Sequence, residues 1–265
     1  MTLRFGCTAC GRCCHDLRLP LSLREAQSWL QRGGEVEVLT DAAPALPAQP
    51  DDPRSRYRRE RALAGVSGGL AITVNLTLAA TFSGPCPHLL PTMRCGAYAD
   101  RPSTCRIYPA ELLPGRLVDP DTKACPPEAW DPSGPPLLSP DGRPADPDVA
   151  RAARQARADG LADVAGKARL AHLLGIDTAA LENEGLAVHR RSASALLAAL
   201  GTACSMPAGP PEHIEWRFIS PSATTRSMIG DAGAIATAAA QSTDTSFLSF
   251  GPVAQQHFET HEQPT

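Results

Sequence analysis

Charge of either sign is not in excess in this chain. Its 25 basic and 28 acidic residues leave a net charge of −3 and a pI near 6.2. That balance gives no overall pull toward nucleic acid or an anionic membrane. No run of about 20 apolar residues is present, which excludes a bilayer-spanning helix. The start, "MTLRFGCTAC", lacks the apolar stretch after basic residues that marks a secretory leader. We therefore read a soluble, cytoplasmic chain. No Ser-His-Asp order, H-E-x-x-H motif or phosphate-binding glycine loop is found, and no internal repeat. Aromatics are scarce at 5%, but an apolar fraction of 43% still allows a core.

Cysteine, proline and glycine are present in quantity. The 26 prolines and 21 glycines imply many turns and linkers. Nine cysteines in a reducing compartment point to metal ligands rather than disulfides. Eight of them fall into two groups. The first, C-x2-C-x2-C-C, comprises Cys7, Cys10, Cys13 and Cys14; the second comprises Cys86, Cys95, Cys105 and Cys125. Cys204 stands apart in helical sequence and reads as a small apolar residue.

Two-residue spacers let consecutive thiolates converge on one centre, a spacing shared by zinc sites and iron–sulfur clusters. A ferredoxin run is C-x2-C-x2-C with a distant cysteine that precedes proline. Cys7, Cys10 and Cys13 supply the run, and Cys86-Pro87 and Cys125-Pro126 both qualify as the remote partner. Cys14 cannot easily share a centre with its neighbour Cys13, because adjacent side chains diverge. Two centres, or one centre with a thiol beside it, resolve the crowding. The C-x3-C-x2-C spacing of radical S-adenosylmethionine enzymes is absent.

The second group carries further signals: Cys86-Pro87 with Leu89, Cys95 with Tyr98, Arg101-Pro102, Cys105-Arg106, Tyr108-Pro109, and Cys125 after "PDTKA". Together with the N-terminal cluster these resemble the YkgJ family, the CxxCxxCC family of zinc- or iron-chelating cysteine-cluster proteins. The resemblance spans roughly residues 5 to 130. It implies metal chelation by Cys7, Cys10, Cys13, Cys14, Cys86, Cys95, Cys105 and Cys125. A 4Fe–4S iron–sulfur cluster is favoured over zinc, with electron transfer, redox sensing or a maturation role to follow. Zinc would imply a closed structural site and an interaction module. The cysteine pattern is also similar to part of the flagellin lysine N-methylases, which leaves a protein-lysine methyltransferase-like enzyme as the alternative.

Other residues near the cysteines are candidates for lesser roles. His15 and His88 could replace a thiolate or support one. Tyr98, Arg101, Arg106 and Tyr108 flank cysteines, where arginine would offset thiolate charge. Asp16, Asp100 and Glu111 lack a visible acid–base partner and read as surface carboxylates. "RSRYRRER", residues 54 to 61, reads as a solvated face; no nucleic-acid partner is expected, and an unidentified protein partner is open.

The expected fold class is α+β: a cysteine-cluster metal domain over residues 1–130, a proline-rich linker over 131–148, a helical segment over 149–203 and a poorly ordered tail over 204–265. Ser22 with Glu25 forms a capping-box pattern opening a helix whose apolar face is Leu23, Ala26, Trp29 and Leu30. Gly33 and Gly34 stop it. "EVEVL" reads as a short strand, and Ile72, Val74, Leu76 and Leu78 alternate as a half-buried strand leading to Cys86. Two or three helices are read in 149–200.

Overall fold

The computed structural model describes residues 3–45, 52–205, 213–239 and 244–250. The fold is α+β, a mixed sheet with helices. In chain order the elements are β1 (His15–Leu21), α1 (Leu23–Gln31), β2 (Glu35–Pro44), α2 (Pro53–Arg59), β3 (Leu63–Ser67), β4 (Leu70–Pro85), α3 (Ser103–Ile107), α4 (Pro147–Leu173), β5 (Thr178–Leu181), β6 (Gly185–His189), α5 (Ala193–Ser205), β7 (Arg217–Ser220), α6 (Ala223–Asp231), β8 (Ala236–Ala238) and β9 (Thr245–Ser249).

Helix α1 starts where the capping box places it. The Ser22 hydroxyl accepts from the Glu25 N–H, and the Glu25 carboxylate accepts from the Ser22 N–H at 2.8 Å. Its buried residues are Leu23, Ala26, Trp29 and Leu30, the face that the spacing predicts. The alternating stretch around Ile72–Leu78 lies inside β4, which spans 16 residues and is entered from β3 through the turn at Gly68 and Gly69. Gly68 has φ +57, a left-handed conformation suited to glycine at a hairpin turn.

Strand β4 is the spine of the sheet. Along one edge it pairs with all of β2; along the other it pairs with β1 at its C-terminal half and with β3 at its start. The outer edge of β2 is divided. Val38–Thr40 pair antiparallel with β6, and Asp41–Ala42 pair parallel with β5. From β6 the sheet continues to β9, and from β5 through parallel β7 to β8. The main core lies on one face, where Ile72, Val74, Leu76 and Leu78 of β4 meet Trp29 of α1, Leu170 of α4 and Leu196 and Leu200 of α5.

Three expectations change in the structure. Residues 149–203 hold α4 and α5, with β5 and β6 between them; Ala179, Ala180, Ala187 and Val188 are buried in the sheet although their composition looked helical. Packing overrides propensity in such short alanine-rich strands. The tail expected from residue 204 is ordered over much of its length. Trp216, Phe218 and Ile219 are buried, β7, α6, β8 and β9 follow, and residues 251–265 lie outside the described residues. Finally, residues 131–148 do not separate two units, because strands before and after them share one sheet. Leu137 and Leu138 of that stretch pack against Ile107 and Ala110 instead. Among the described residues no helix is long and apolar enough to cross a membrane.

Candidate metal centre

The eight clustered cysteines gather at the end of the sheet where β1 begins and β4 ends. The N-terminal loop turns through left-handed backbone at Ala9 (φ 53) and Gly11 (φ 70). The Ala9 N–H points at the Cys7 sulfur, 3.4 Å away. A single 3₁₀ turn, Arg12–Cys14, then delivers the chain into β1, with the Cys14 N–H bonded to the Gly11 carbonyl at 2.9 Å. Tight turns of this kind follow from the two-residue spacers. A side chain at Gly11 would meet Met93 and Leu89, so the loop lies directly against the hairpin that follows Cys86.

Two sets of backbone bonds anchor this loop on opposite sides. On one side the Gly6 N–H bonds to the Ala129 carbonyl at 2.8 Å and the Phe5 N–H to Pro135 at 3.0 Å. Phe5 also packs on Trp130, with ring centroids 5.0 Å apart. These contacts hold Cys7 near Cys125. On the other side the Cys86 N–H bonds to the Cys14 carbonyl at 2.7 Å, extending the β1–β4 ladder past the His15–Pro85 pair. Cys95 returns toward Cys86 through a small hairpin, in which Gly96 N–H bonds to His88 and Leu89 bridges Cys95. Cys105 sits on α3. That helix is tied down by the Ser103 N–H on Glu25 at 2.6 Å and by the Thr104 hydroxyl on Pro20 at 2.8 Å. Glu25 therefore caps two helices, a role visible in the sequence only for the first.

All nine cysteines are free thiols. Cys13 donates its S–H to Cys14, and this bond, helped by the charges of His15 and Arg101, lowers the Cys14 thiol to about 6. The same bond raises Cys13, with burial and the charges of Cys14, Cys125 and Cys7 adding to it. Burial pushes Cys105 up to about 12, and the charges of Cys14, Cys86 and Cys95 act in the same direction. Cys86 is raised by burial and then by Cys14 and Cys95. Cys125 is raised by burial and by Cys7 and Cys10, against a hydrogen bond to the Tyr108 hydroxyl 3.7 Å away. Cys13, Cys86, Cys105 and Cys125 are thus held in the thiol form, and a bound cation would favour their ionisation. The donors suit zinc or iron in kind. As placed they are neighbours and not a closed shell: among the described residues no three Cys, His, Asp or Glu converge tightly enough to hold an ion.

The flanking candidates take varied positions. The His15 ring nitrogen Nδ1 lies 3.1 Å from the Gly11 carbonyl. His88 packs edge-on against Trp29, its Nε2 buried without a hydrogen-bond partner. The Arg101 guanidinium stacks over Tyr98 at 3.7 Å, and Arg106 bonds to the Arg101 carbonyl, which curls the loop before α3. Tyr108 accepts the Ala124 N–H at 2.8 Å, positioning the turn that carries Cys125. Asp16 accepts the Gly84 N–H, Asp100 pairs loosely with Arg32, and Glu111 binds Lys123. Cys204 is half-buried on α5 against the main core, away from the cluster.

The arginine run forms α2 and the segment after it. Arg58 meets Asp41 at 2.8 Å and Glu182 at 3.1 Å, beside a cavity of ≈ 400 Å³ that Asn75 also lines. Arg61 lies over Tyr57 and bonds to the Arg157 carbonyl. Asn75 of β4 donates to the same Asp41 carboxylate at 2.8 Å. Spacing along the chain does not reveal Asp41 or Glu182 as partners of Arg58, since one lies on β2 and the other follows β5.

Neither the curated proteins nor the solved structures contain a match to this chain. A family model does match, over residues 6–126, and its span opens just before Cys7 and closes just after Cys125. That stretch is similar to the CxxCxxCC family, described as a putative zinc- or iron-chelating domain.

Proposed function

We propose that the chain binds iron–sulfur through Cys7, Cys10, Cys13, Cys14, Cys86, Cys95, Cys105 and Cys125 and exchanges electrons with a protein partner. The observation that carries this reading is the position of Cys125. Of the two cysteine–proline pairs that could complete the C-x2-C-x2-C run, Cys125-Pro126 is the one beside Cys7 and Cys10. A run of three thiols closed by a remote Cys-Pro is the ferredoxin arrangement. When bound, such a cluster accepts and releases single electrons. The protein's own contribution is to hold the thiolates and set the charge around them. Arg101 and His15 favour the charged form of Cys14, and Lys123 does the same for Cys125. The Tyr108 hydroxyl stands at the Cys125 sulfur, where hydrogen bonding tunes a cluster's potential.

Protein purified without oxygen is expected to contain iron and acid-labile sulfide in equal amounts, about four of each per centre, with a broad absorption band around 400 nm. The checks are elemental analysis and a visible spectrum on the same sample. A colourless protein holding zinc alone would sink the iron–sulfur reading and leave a structural zinc domain in its place.

A further inference from the structure

We infer that the eight thiols form two separate centres with different jobs: an outer centre of Cys7, Cys10, Cys13 and Cys125, and an inner centre of Cys14, Cys86, Cys95 and Cys105. The inference rests on the metal-binding reading above.

Backbone anchoring divides the cysteines in this way. Gly6 and Phe5 bond to Ala129 and Pro135, which brings the first three thiols to the Cys125 loop. Cys14, one residue further on, is already in the ladder, its carbonyl bonded to Cys86. The hairpin from His88 to Gly96 then folds Cys95 back onto Cys86. The chain crosses from one group to the other at the Cys13–Cys14 peptide, which explains why two cysteines stand side by side.

The two groups differ in what they touch. Cys86 and Cys105 pack against the main hydrophobic core, and α3 is bonded to Glu25 and Pro20. A metal joining Cys14, Cys86, Cys95 and Cys105 would staple the hairpin and α3 to the sheet. Cys7 is exposed, and Cys10 and Cys125 lie on loops outside any strand or α-helix. A metal held there sits at the surface, reachable by a partner, and little of the fold depends on it.

The experiment compares wild-type protein, Cys125→Ser and Cys105→Ser, each purified without oxygen, for metal per chain and melting temperature. Cys125→Ser is expected to keep half of the wild-type metal and melt close to wild type. Cys105→Ser is expected to lose the other half and melt well below it. Because Cys105→Ser can fail to fold, the wild type is also treated with a chelator, and metal release should have a fast and a slow half. Complete loss of metal in Cys125→Ser, or release in a single phase, would overturn the division while leaving metal binding intact. A wild-type chain that carries no metal would overturn the metal reading itself.

Discussion

Trp29→Ala is expected to lower the unfolding free energy by about 3–5 kcal/mol, the usual cost of deleting a fully buried indole. Trp29 is 1% exposed and lies between the sheet and the cysteine loops. Its ring stacks on Phe82 of β4 at 6.2 Å and meets His88 edge-on at 4.9 Å. Deleting it leaves a cavity that Phe82 and His88 border, and the hairpin between Cys86 and Cys95 loses the surface it rests on. The variant should therefore also hold less metal than wild type. Chemical denaturation with elemental analysis on the same sample checks both effects. The indole N–H is buried without a hydrogen-bond partner, so Trp29→Phe forfeits no such bond and should cost clearly less. If Trp29→Phe proved as damaging as Trp29→Ala, packing would not be what this residue contributes.

The second large effect is acid destabilisation through His189. This residue is buried in β6, its Nε2 2.9 Å from the Thr40 hydroxyl, which in turn donates to the Thr178 carbonyl at 2.7 Å. Burial, and then the charge of Arg191, pushes the imidazole down from 6.5 to about 4. The folded protein thus keeps a neutral ring where the unfolded chain takes up a proton. Its stabilising contribution is complete above the unfolded value. It falls as pH drops from 6.5 to about 4, by about 3 kcal/mol in all. Denaturation midpoints measured across that window should decline in wild type and decline less in His189→Gln. Metal release in acid affects both proteins alike, so the difference between them isolates the histidine. Parallel declines would show that His189 already carries a proton when folded.

What was legible in the sequence came from local rules. The Ser22–Glu25 box marked α1 because both of its bonds close within four residues. The Ile72–Leu78 alternation marked β4 because one face of a strand recurs every second residue. The dense cysteines announced a metal domain, and the family match agrees. What stayed hidden depends on long-range pairing. Cys14 belongs beside Cys86 because of the β1–β4 register, which no spacing rule supplies across the about 70 residues between them. The strands at Thr178–Leu181 and Arg217–Ser220 are four residues each and acquire their identity from lying parallel in the sheet. The acidic partners of Arg58 likewise come from β2 and from the turn after β5.

The divided outer edge of β2 bears on how this chain should be handled. The family match ends at residue 126, yet on their outer edge Val38–Ala42 pair with β5 and β6, beyond it. A fragment trimmed to the match would leave a long apolar strand bare along one side, an invitation to pair with another molecule. It would also strip α5 from the buried face of α1 and leave that face exposed. The stretch that resembles the family therefore stops short of the strands that complete the sheet, which lie past residue 126.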